Sequence, residues 1–133
     1  VMFLDVDRFK PINDTHGHGV GDEVLNEFAR RLTQCVRQTD TVARLAGDEF
    51  VILLEDLRAA DEAEGIARKI GQVLVAPFVC GDLSLRVTAS IGVAQVPGHA
   101  SLSPAELLAQ ADAALYEAKR RGRNTYALST QAA

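Results

Sequence analysis

The chain has 133 residues, of which 47% are hydrophobic and 24% are charged, as expected for one globular domain with a single core. A net charge of −4 excludes a broad basic surface for DNA or RNA, so we expect no nucleic-acid polymer as a partner. No apolar run approaches the ~20 residues of a membrane span and no signal peptide is visible, which favours a cytoplasmic protein or the cytoplasmic part of a membrane-anchored one.

The first strand is predicted over residues 1–6, an apolar run that ends in acid. Because a folded domain rarely begins in mid-strand, we expect residues 1–133 to be a single, N-terminally truncated domain of a longer multidomain protein. Residues 8–20 are rich in Pro, Asn, Asp and Gly, which predicts a loop or a short irregular helix. Apolar residues at helical spacing then predict a helix that opens at Asp22 and reaches Val36.

Two hairpins and two further helices follow. The predicted elements are strands at 41–45 and 50–54, a helix at 59–75, strands at 78–79 and 83–93, a helix from Ser103 to Gly122, and a last strand at 126–128. Tight hairpins make the sheet largely antiparallel, and three helices should cover its face or faces. The order β-α-β-β-α-β-β-α-β predicts an α+β fold of the ferredoxin-like type.

Two acidic pairs stand at strand ends. Asp5 and Asp7 close the first strand, while Asp48 and Glu49 lie in the turn of the first hairpin. Carboxylates that converge repel one another unless a hard cation lies between them, and Mg²⁺ prefers such oxygen ligands and shares them with substrate phosphates. Spacing alone leaves a second interpretation open, in which all four are ordinary solvated turn acids.

Several single polar residues have both a functional and an ordinary interpretation. Asn13 and Asp22 have the donors and acceptors to read a purine edge, but taken alone they are more typical of a turn and a helix N-terminus. Lys119 and Arg123 can bind polyphosphate or complement the negative end of the last helix. His18, between two glycines, and Lys10 are further ligand candidates or plain surface residues.

The combination of these residues is more specific than any one of them. Eight segments occur in order: Asp5-Val6-Asp7-Arg8-Phe9-Lys10, Asn13-Asp14, Gly17-His18, Gly21-Asp22, Arg44-Leu45-Ala46-Gly47-Asp48-Glu49-Phe50, Ser90-Ile91-Gly92, Ala111-Asp112 and Tyr116-Glu117-Ala118-Lys119-Arg120-Arg121-Gly122-Arg123-Asn124. From the first strand to about Leu128, the chain strongly resembles the GGDEF family, the diguanylate cyclases of bacterial signalling. The resemblance implies a palm-like nucleotidyl-cyclase sheet.

The resemblance also implies a reaction and its residues. Two domains meet head to head, each with one GTP, and the 3′-hydroxyl of each GTP attacks the α-phosphate of the other, which yields cyclic di-GMP and two pyrophosphates. By matching position, the implied ligands of Mg²⁺ or Mn²⁺ are Asp5, the carbonyl of Val6, Asp48 and Glu49, with Asp48 also the general base and Glu49 supporting the site. Lys10 would stabilise the transition state, Asn13 and Asp22 would read guanine beside His18, and Lys119 and Arg123 would grip the phosphates.

A second, inhibitory site is implied by Arg37-Gln38-Thr39-Asp40, which resembles the family's RxxD motif for binding the product. Arg37 can pair bidentately with phosphate or guanine, and Asp40 can accept guanine N–H groups. Arg68 matches the secondary arginine of that site. The ordinary alternative is a local surface ion pair between Arg37 and Asp40, worth less than ~1 kcal/mol.

Two departures from the family pattern bear on activity, although the acids Asp48 and Glu49 are both kept and favour an active enzyme. The first Gly of the signature is Ala46, which tolerates a positive φ or close ligand approach less well than Gly. The family's usual helix before the first strand is absent from this chain. The rivals are a weak or inactive module that binds GTP or cyclic di-GMP to regulate an attached sensory or phosphodiesterase domain, and a cyclase that makes a different cyclic nucleotide.

Overall fold

The computed structural model describes residues 1–59, 61–96 and 102–129. Within these ranges the elements are β1 (Met2–Val6), α1 (Phe9–His16), α2 (His18–Cys35), β2 (Thr41–Ala46), β3 (Glu49–Leu53), α3 (Glu62–Val73), β4 (Phe78–Cys80), β5 (Leu83–Leu85), β6 (Ala89–Val93), α4 (Pro104–Arg120) and β7 (Thr125–Leu128). Each helix in these ranges is too short or too polar to cross a lipid bilayer.

The main sheet has five strands in the order β2-β3-β1-β6-β7, with β1 at its centre. Met2 lies opposite Ile52 of β3 on one side and Val93 of β6 on the other. Both of these pairings and that of β2 with β3 are antiparallel, whereas β6 and β7 are parallel and are joined through α4. The predicted α+β fold with a largely antiparallel central sheet is confirmed.

Alternate residues of β1 face opposite layers of the molecule. Met2, Leu4 and Val6 are at most 2% exposed and belong to the core formed with α2 and α3, where the rings of Phe28 and Phe50 lie 5.0 Å apart. Helix α4 covers the other face of the sheet and packs on β1, β6 and β7. Asp5, on that second face, therefore lies beneath the end of α4.

A buried arginine joins α2 to the end of α3. Arg31 is 8% exposed and donates hydrogen bonds to the carbonyls of Val73, Ala76 and Pro77, at 3.1, 2.6 and 2.9 Å. Its guanidinium lies 3.9 Å from the centre of the Phe78 ring. Because these carbonyls lie at and just after the end of α3, Arg31 supplies donors that a helix end lacks.

Most strand and helix ends differ from the prediction by a few residues, and two regions differ in their elements. Helix α2 begins at His18 rather than Asp22, because the chain turns at Gly17, whose φ is 90°, and re-enters a helix at once. The region 8–20 accordingly holds a regular helix, α1, in addition to the three predicted helices. The predicted strand at 83–93 is two strands, because β5 pairs with β4 in a separate two-stranded sheet while β6 joins β1.

The remaining helix predictions agree closely with the structure. Helix α3 lies inside the predicted 59–75, of which Ala60 falls outside the described residues. Ser103 caps α4 by accepting a hydrogen bond from the backbone N–H of Glu106 at 3.1 Å, and Pro104 is its first residue. Capping by Ser with Pro at the first helical position is the pattern that the sequence predicted.

Candidate active site

The signature turn between β2 and β3 lies beside the end of β1. The backbone N–H of Val6 donates to the carbonyl of Asp48 at 3.2 Å, and Asp5 is directly opposite Glu49 in the register of β1 and β3. Directly opposite residues share a face of the sheet. The strand end and the hairpin turn therefore lie side by side, as the sequence predicted.

Asp5 is the buried acid of this site. It is 7% exposed, and its Oδ2 forms an ion pair with the ammonium of Lys119, which reaches it from the last turn of α4. Its other oxygen, Oδ1, is buried and has no hydrogen-bond partner. A buried carboxylate oxygen without a donor is costly, so this oxygen is suited to a cation ligand.

The environment of Asp48 holds back its ionisation. Burial raises the pKa of the Asp48 carboxyl, and the negative charge of Asp5 raises it further, while the charges of Lys119 and Arg44 act in the opposite direction. The effect of Asp5 on Asp48 indicates that the two carboxylates share one electrostatic environment. A divalent cation bound between them would remove this repulsion.

Two of the predicted metal-binding side chains are placed to bind a hard divalent cation, and the third is not. Asp5 with its unpartnered oxygen and the half-buried Asp48 are oxygen donors of the kind Mg²⁺ uses. In the part of the chain that the structure describes, no three His, Cys, Asp or Glu side chains converge as a metal site. Glu49 is exposed on the strand beside them, and its place among the ligands stays a prediction.

The turn itself is stabilised by a residue that the sequence analysis did not single out. Arg44 donates from Nε to the carbonyl of Gly47 at 2.7 Å. Gly47 has φ 52°, whereas Ala46 is the last residue of β2 and takes a strand conformation. The residue of this turn that needs glycine is therefore Gly47, and the methyl of Ala46 imposes no backbone strain.

The predicted guanine-reading residues gather where α1 meets α2. The side chain of Asn13 lies against Gly21, where a Cβ would come within 1.8 Å of Asn13 Oδ1. That oxygen is buried and has no hydrogen-bond partner, and Asp22 is the next residue along α2. His18 and Lys10 are exposed on the same two helices. The structure thus brings Asn13 and Asp22 to one junction.

The predicted phosphate-binding residues lie at and after the end of α4. Lys119 is in the last turn of the helix, already paired with Asp5, and Arg123 is exposed in the connection to β7. Arg123 has a left-handed backbone, with φ 65°, between Gly122 at 112° and Asn124 at 49°. Three successive residues with positive φ make this a sharply turned segment.

The residues of the predicted inhibitory site are engaged in local contacts. Asp40 accepts hydrogen bonds from the backbone N–H groups of Arg37 and Glu55, at 2.9 and 3.1 Å. Burial opposes ionisation of Asp40, but these two hydrogen bonds and the charge of Arg37 outweigh it and lower the pKa. Arg37 donates to the carbonyl of Glu55 at 2.5 Å, and Arg68 pairs with Glu64 at 4.0 Å.

Asp7 is not free to join the acids of the site. Its carboxylate accepts hydrogen bonds from the hydroxyls of Thr88 and Ser90 and from the backbone N–H of Asn124. The sequence placed Asp7 in the acidic pair with Asp5 but gave no sign of these partners, which lie more than 80 residues away along the chain.

A cavity of about 580 Å³ adjoins the site without covering it. Its lining includes Asp7, Arg8, His16, Arg86 and Asn124, so it lies between α1 and the segment before β6. Neither Asp5 nor Asp48 nor Lys119 lines it. The cavity therefore does not mark the position of the acidic site, which is given by the contacts of the acids themselves.

Comparison with known proteins agrees with this arrangement of acids, turn and helices. The sequence profile of the family described as "Diguanylate cyclase, GGDEF domain" matches residues 1–125. The chain belongs to the GGDEF family. Over 126 residues this GGDEF domain is 45% identical to the bifunctional diguanylate cyclase/cyclic di-GMP phosphodiesterase MucR of Pseudomonas aeruginosa. That match covers 95% of the chain but 18% of MucR, so the chain spans less than a fifth of this relative.

Solved GGDEF domains share the whole fold. The GGDEF domain of TpbB (YfiN) from Pseudomonas aeruginosa matches with a TM-score of 0.92 and 43% identity, over 97% of this chain and 75% of that one. The GGDEF domain of DgcB from Caulobacter crescentus, solved in complex with c-di-GMP, matches with a TM-score of 0.80 and 31% identity, over 96% of this chain and 75% of that one.

Proposed function

We propose that this GGDEF domain is a diguanylate cyclase, which condenses two GTP into cyclic di-GMP with release of two pyrophosphates. One observation carries the proposal: Asp5 is buried with an unpartnered oxygen beside Asp48, and the phosphate-binding candidate Lys119 meets it there. Membership of a family described as diguanylate cyclases supports the same chemistry.

We assign the metal site to Asp5, the carbonyl of Val6 and Asp48, with Glu49 at its edge. Mg²⁺ or Mn²⁺ would supply charge neutralisation on the phosphates there. Asp48 is also assigned the general-base role, as the family resemblance implies. Asp48 would accept the proton of the attacking 3′-hydroxyl.

The other candidates have roles in holding GTP. Asn13 and Asp22, together at the junction of α1 and α2, would read the guanine, with His18 beside the nucleotide. Lys119 would leave its ion pair with Asp5 and bind the phosphates. Arg123 would bind them from the turn after α4. Lys10, exposed on α1, would stabilise the negative charge that develops in the transition state.

Cyclisation joins two nucleotides, and the acids described above form one site per domain. We therefore propose that two copies act as a homodimer, each with one GTP, so that each 3′-hydroxyl meets the other α-phosphate. Because MucR combines a cyclase with a phosphodiesterase, attached sensory or phosphodiesterase domains are proposed for the full-length protein. We place this domain in the cytoplasm, free or as the cytoplasmic part of a membrane-anchored protein.

The direct test measures cyclic di-GMP formed from GTP and Mg²⁺ by this chain and by the full-length protein. Asp48→Ala should lower the rate by roughly 100-fold or more, since a positioned base and a metal ligand are both lost. Asp82→Ala, which removes an exposed acid in the turn between β4 and β5, is the matched control and should keep the rate. Full activity of Asp48→Ala would falsify the proposed mechanism.

Two further measurements separate the cyclase from its rivals. Calorimetric titration that shows GTP binding by wild type, together with no cyclic di-GMP from the full-length protein, would instead establish a regulatory binding module. Incubation with an equal mixture of ATP and GTP tests the choice of base, and a product that contains adenine would contradict the guanine assignment of Asn13 and Asp22.

We also propose product inhibition at Arg37, Asp40 and Arg68. Arg37 has a half-exposed guanidinium that offers donors to cyclic di-GMP, whereas the carboxylate of Asp40 beside it is fully buried and held by the backbone N–H groups of Arg37 and Glu55. Arg37→Ala leaves the backbone N–H groups that hold Asp40, so the fold should persist while inhibition by added product is lost. Arg30→Ala, which removes an exposed arginine of α2, should remain inhibited. Equal inhibition of both variants would contradict this site.

A further inference from the structure

Asp7 is a buried carboxylate whose two oxygens are both engaged. It is 6% exposed, and its Oδ1 accepts from the Ser90 hydroxyl at 2.6 Å. Its Oδ2 accepts from the Thr88 hydroxyl at 2.7 Å and from the backbone N–H of Asn124 at 2.9 Å. Asp5, two residues earlier, keeps a buried oxygen without a partner. The two acids therefore have different tasks, and Asp7 is not placed as a metal ligand.

The bond to Asn124 fixes a segment that side chains disfavour. Arg123 and Asn124 both have left-handed backbones, with φ 65° and 49°. Asn tolerates this conformation better than most residues, but Arg adopts it only when the surroundings hold it. The N–H of Arg123 is held by the carbonyl of Ala118 at 3.2 Å, and the N–H of Asn124 is held by Asp7.

We propose that Asp7 is a positioning residue for Arg123. By accepting a hydrogen bond from the Asn124 N–H just after β1, it fixes the turn that orients Arg123 toward the GTP phosphates. We call this hydrogen bond the clasp. The inference rests on the proposed function, because it takes Arg123 to be a phosphate ligand. The charge of Asp7 strengthens the clasp, since hydrogen bonds to a carboxylate are stronger than those between neutral groups. Thr88 and Ser90 orient the carboxylate for this bond.

The choice of variants follows from the donors around Asp7. Asp7→Asn can turn its amide oxygen toward Thr88 and Asn124 and donate its NH₂ to the Ser90 hydroxyl, which keeps all three bonds. Asp7→Ala removes them. A metal ligand or catalytic acid would be lost in both variants, whereas a clasp survives in Asp7→Asn. Thr88→Val removes only one bond and keeps the volume, so it reports on the clasp if Asp7→Ala fails to fold.

Two measurements on the whole chain test the proposal. Hydrogen exchange of the Asn124 amide, followed by NMR, should be fast in Asp7→Ala and slow in wild type and Asp7→Asn. Calorimetric titration with GTP and Mg²⁺ should show about tenfold or greater weakening in Asp7→Ala, as for loss of a charge-assisted interaction, and much less in Asp7→Asn. In an Arg123→Ala background, Asp7→Ala should weaken binding by less than about twofold, because both changes act on one contact.

Three results would overturn the proposal. The first is an Asn124 amide that exchanges as slowly in Asp7→Ala as in wild type. The second is an equal GTP affinity of Asp7→Ala and wild type, or no GTP binding by either protein. The third is a loss of GTP affinity from Asp7→Ala that is the same with and without Arg123→Ala. Failure of the proposed cyclase function is read separately, since wild type would then yield no cyclic di-GMP while the exchange and binding measurements still decide the role of Asp7.

Discussion

At the scale of single residues, the carboxylates of Asp5 and Asp48 have different electrostatic environments. Asp5 is neutralised by Lys119 within the protein itself. Asp48 has no ion pair among the salt bridges of the described residues, and burial together with the charge of Asp5 raises its pKa. Before ligands bind, the folded protein therefore disfavours ionisation of Asp48 relative to an exposed aspartate.

This imbalance predicts a pH-dependent stability. Ionisation of Asp48 opposes folding above its raised pKa, and it has no effect below the ordinary pKa of an aspartate, where folded and unfolded chains are both protonated. Without metal, Asp48→Asn should be more stable than wild type at about pH 8, and the difference should shrink as the pH falls toward about 4. Thermal denaturation across this range measures it.

The control for this prediction is Asp112→Asn, at an exposed position of α4. A stability difference between Asp48→Asn and wild type that stayed constant with pH would show that packing, and not ionisation, distinguishes the two proteins.

The signature turn gives a second prediction at this scale. Gly47 has φ 52°, so Gly47→Ala should destabilise the protein by about 1 kcal/mol, whereas Ala46→Gly should change the free energy of unfolding by less than about 0.5 kcal/mol. Urea denaturation of both variants measures this contrast. A gain in stability for Ala46→Gly, with no loss for Gly47→Ala, would place the strained residue one position earlier than the structure does.

At the scale of elements, the contact between β6 and α4 depends on one residue without a side chain. A Cβ on Gly92 would come within 2.2 Å of the backbone N of Leu115 and 2.3 Å of the carbonyl oxygen of Ala111. Neither partner is a flexible side chain end, so the helix as a whole would have to move. The sheet and α4 approach so closely only because β6 carries glycine at this point.

We therefore expect Gly92→Ala to destabilise the protein by about 1–3 kcal/mol or more, as overpacking does, and to lower the melting temperature. Gly71→Ala is the matched control, because a Cβ on Gly71 of α3 would meet nothing within 4 Å beyond its own helix, and Ala is the better helix former there. Calorimetric unfolding compares the two. If Gly92→Ala unfolded at the same temperature as Gly71→Ala, the close approach of α4 would be wrong.

The elements show which features of this fold the sequence could predict. The helical period of α2, α3 and α4, the Ser103 cap and the hairpin of β2 and β3 are local signals, and all of them hold in the structure. The break between β5 and β6 has no such signal, since residues 86–88 alternate like a strand. It follows from pairing with different partners, since β5 pairs with β4 in a separate sheet while β6 pairs with β1.

The candidate site also has features that the sequence could predict and features that it could not. The acids of the turn were visible in the sequence because hairpin and strand end are local features, and the resemblance named their partners. The bond of Asp7 to Asn124 and the ion pair of Lys119 with Asp5 depend on contacts between segments that are far apart in the sequence. Side-chain contacts between distant segments follow from packing, which periodicity does not encode.

At the scale of the whole molecule, the proposed reaction needs two copies. The initial rate of cyclic di-GMP formation, at saturating GTP and Mg²⁺, should rise with the square of protein concentration when most copies are monomeric, because each active pair forms by collision. Specific activity measured over a wide dilution series tests this. Specific activity that stayed constant on dilution, with a monomeric mass by light scattering, would contradict catalysis by a homodimer.

The central place of β1 in the sheet has a consequence for how the chain is made. Met2 pairs with Ile52 and with Val93, so β1 leaves the ribosome long before either neighbour. Until residue 93 has emerged, an apolar strand has at least one open edge, which is a template for aggregation. Native pairing of this kind is non-local and therefore slow to form. Chains that stop before β6 should accumulate as insoluble nascent products, and no smaller folding unit should be recoverable from the N-terminal half.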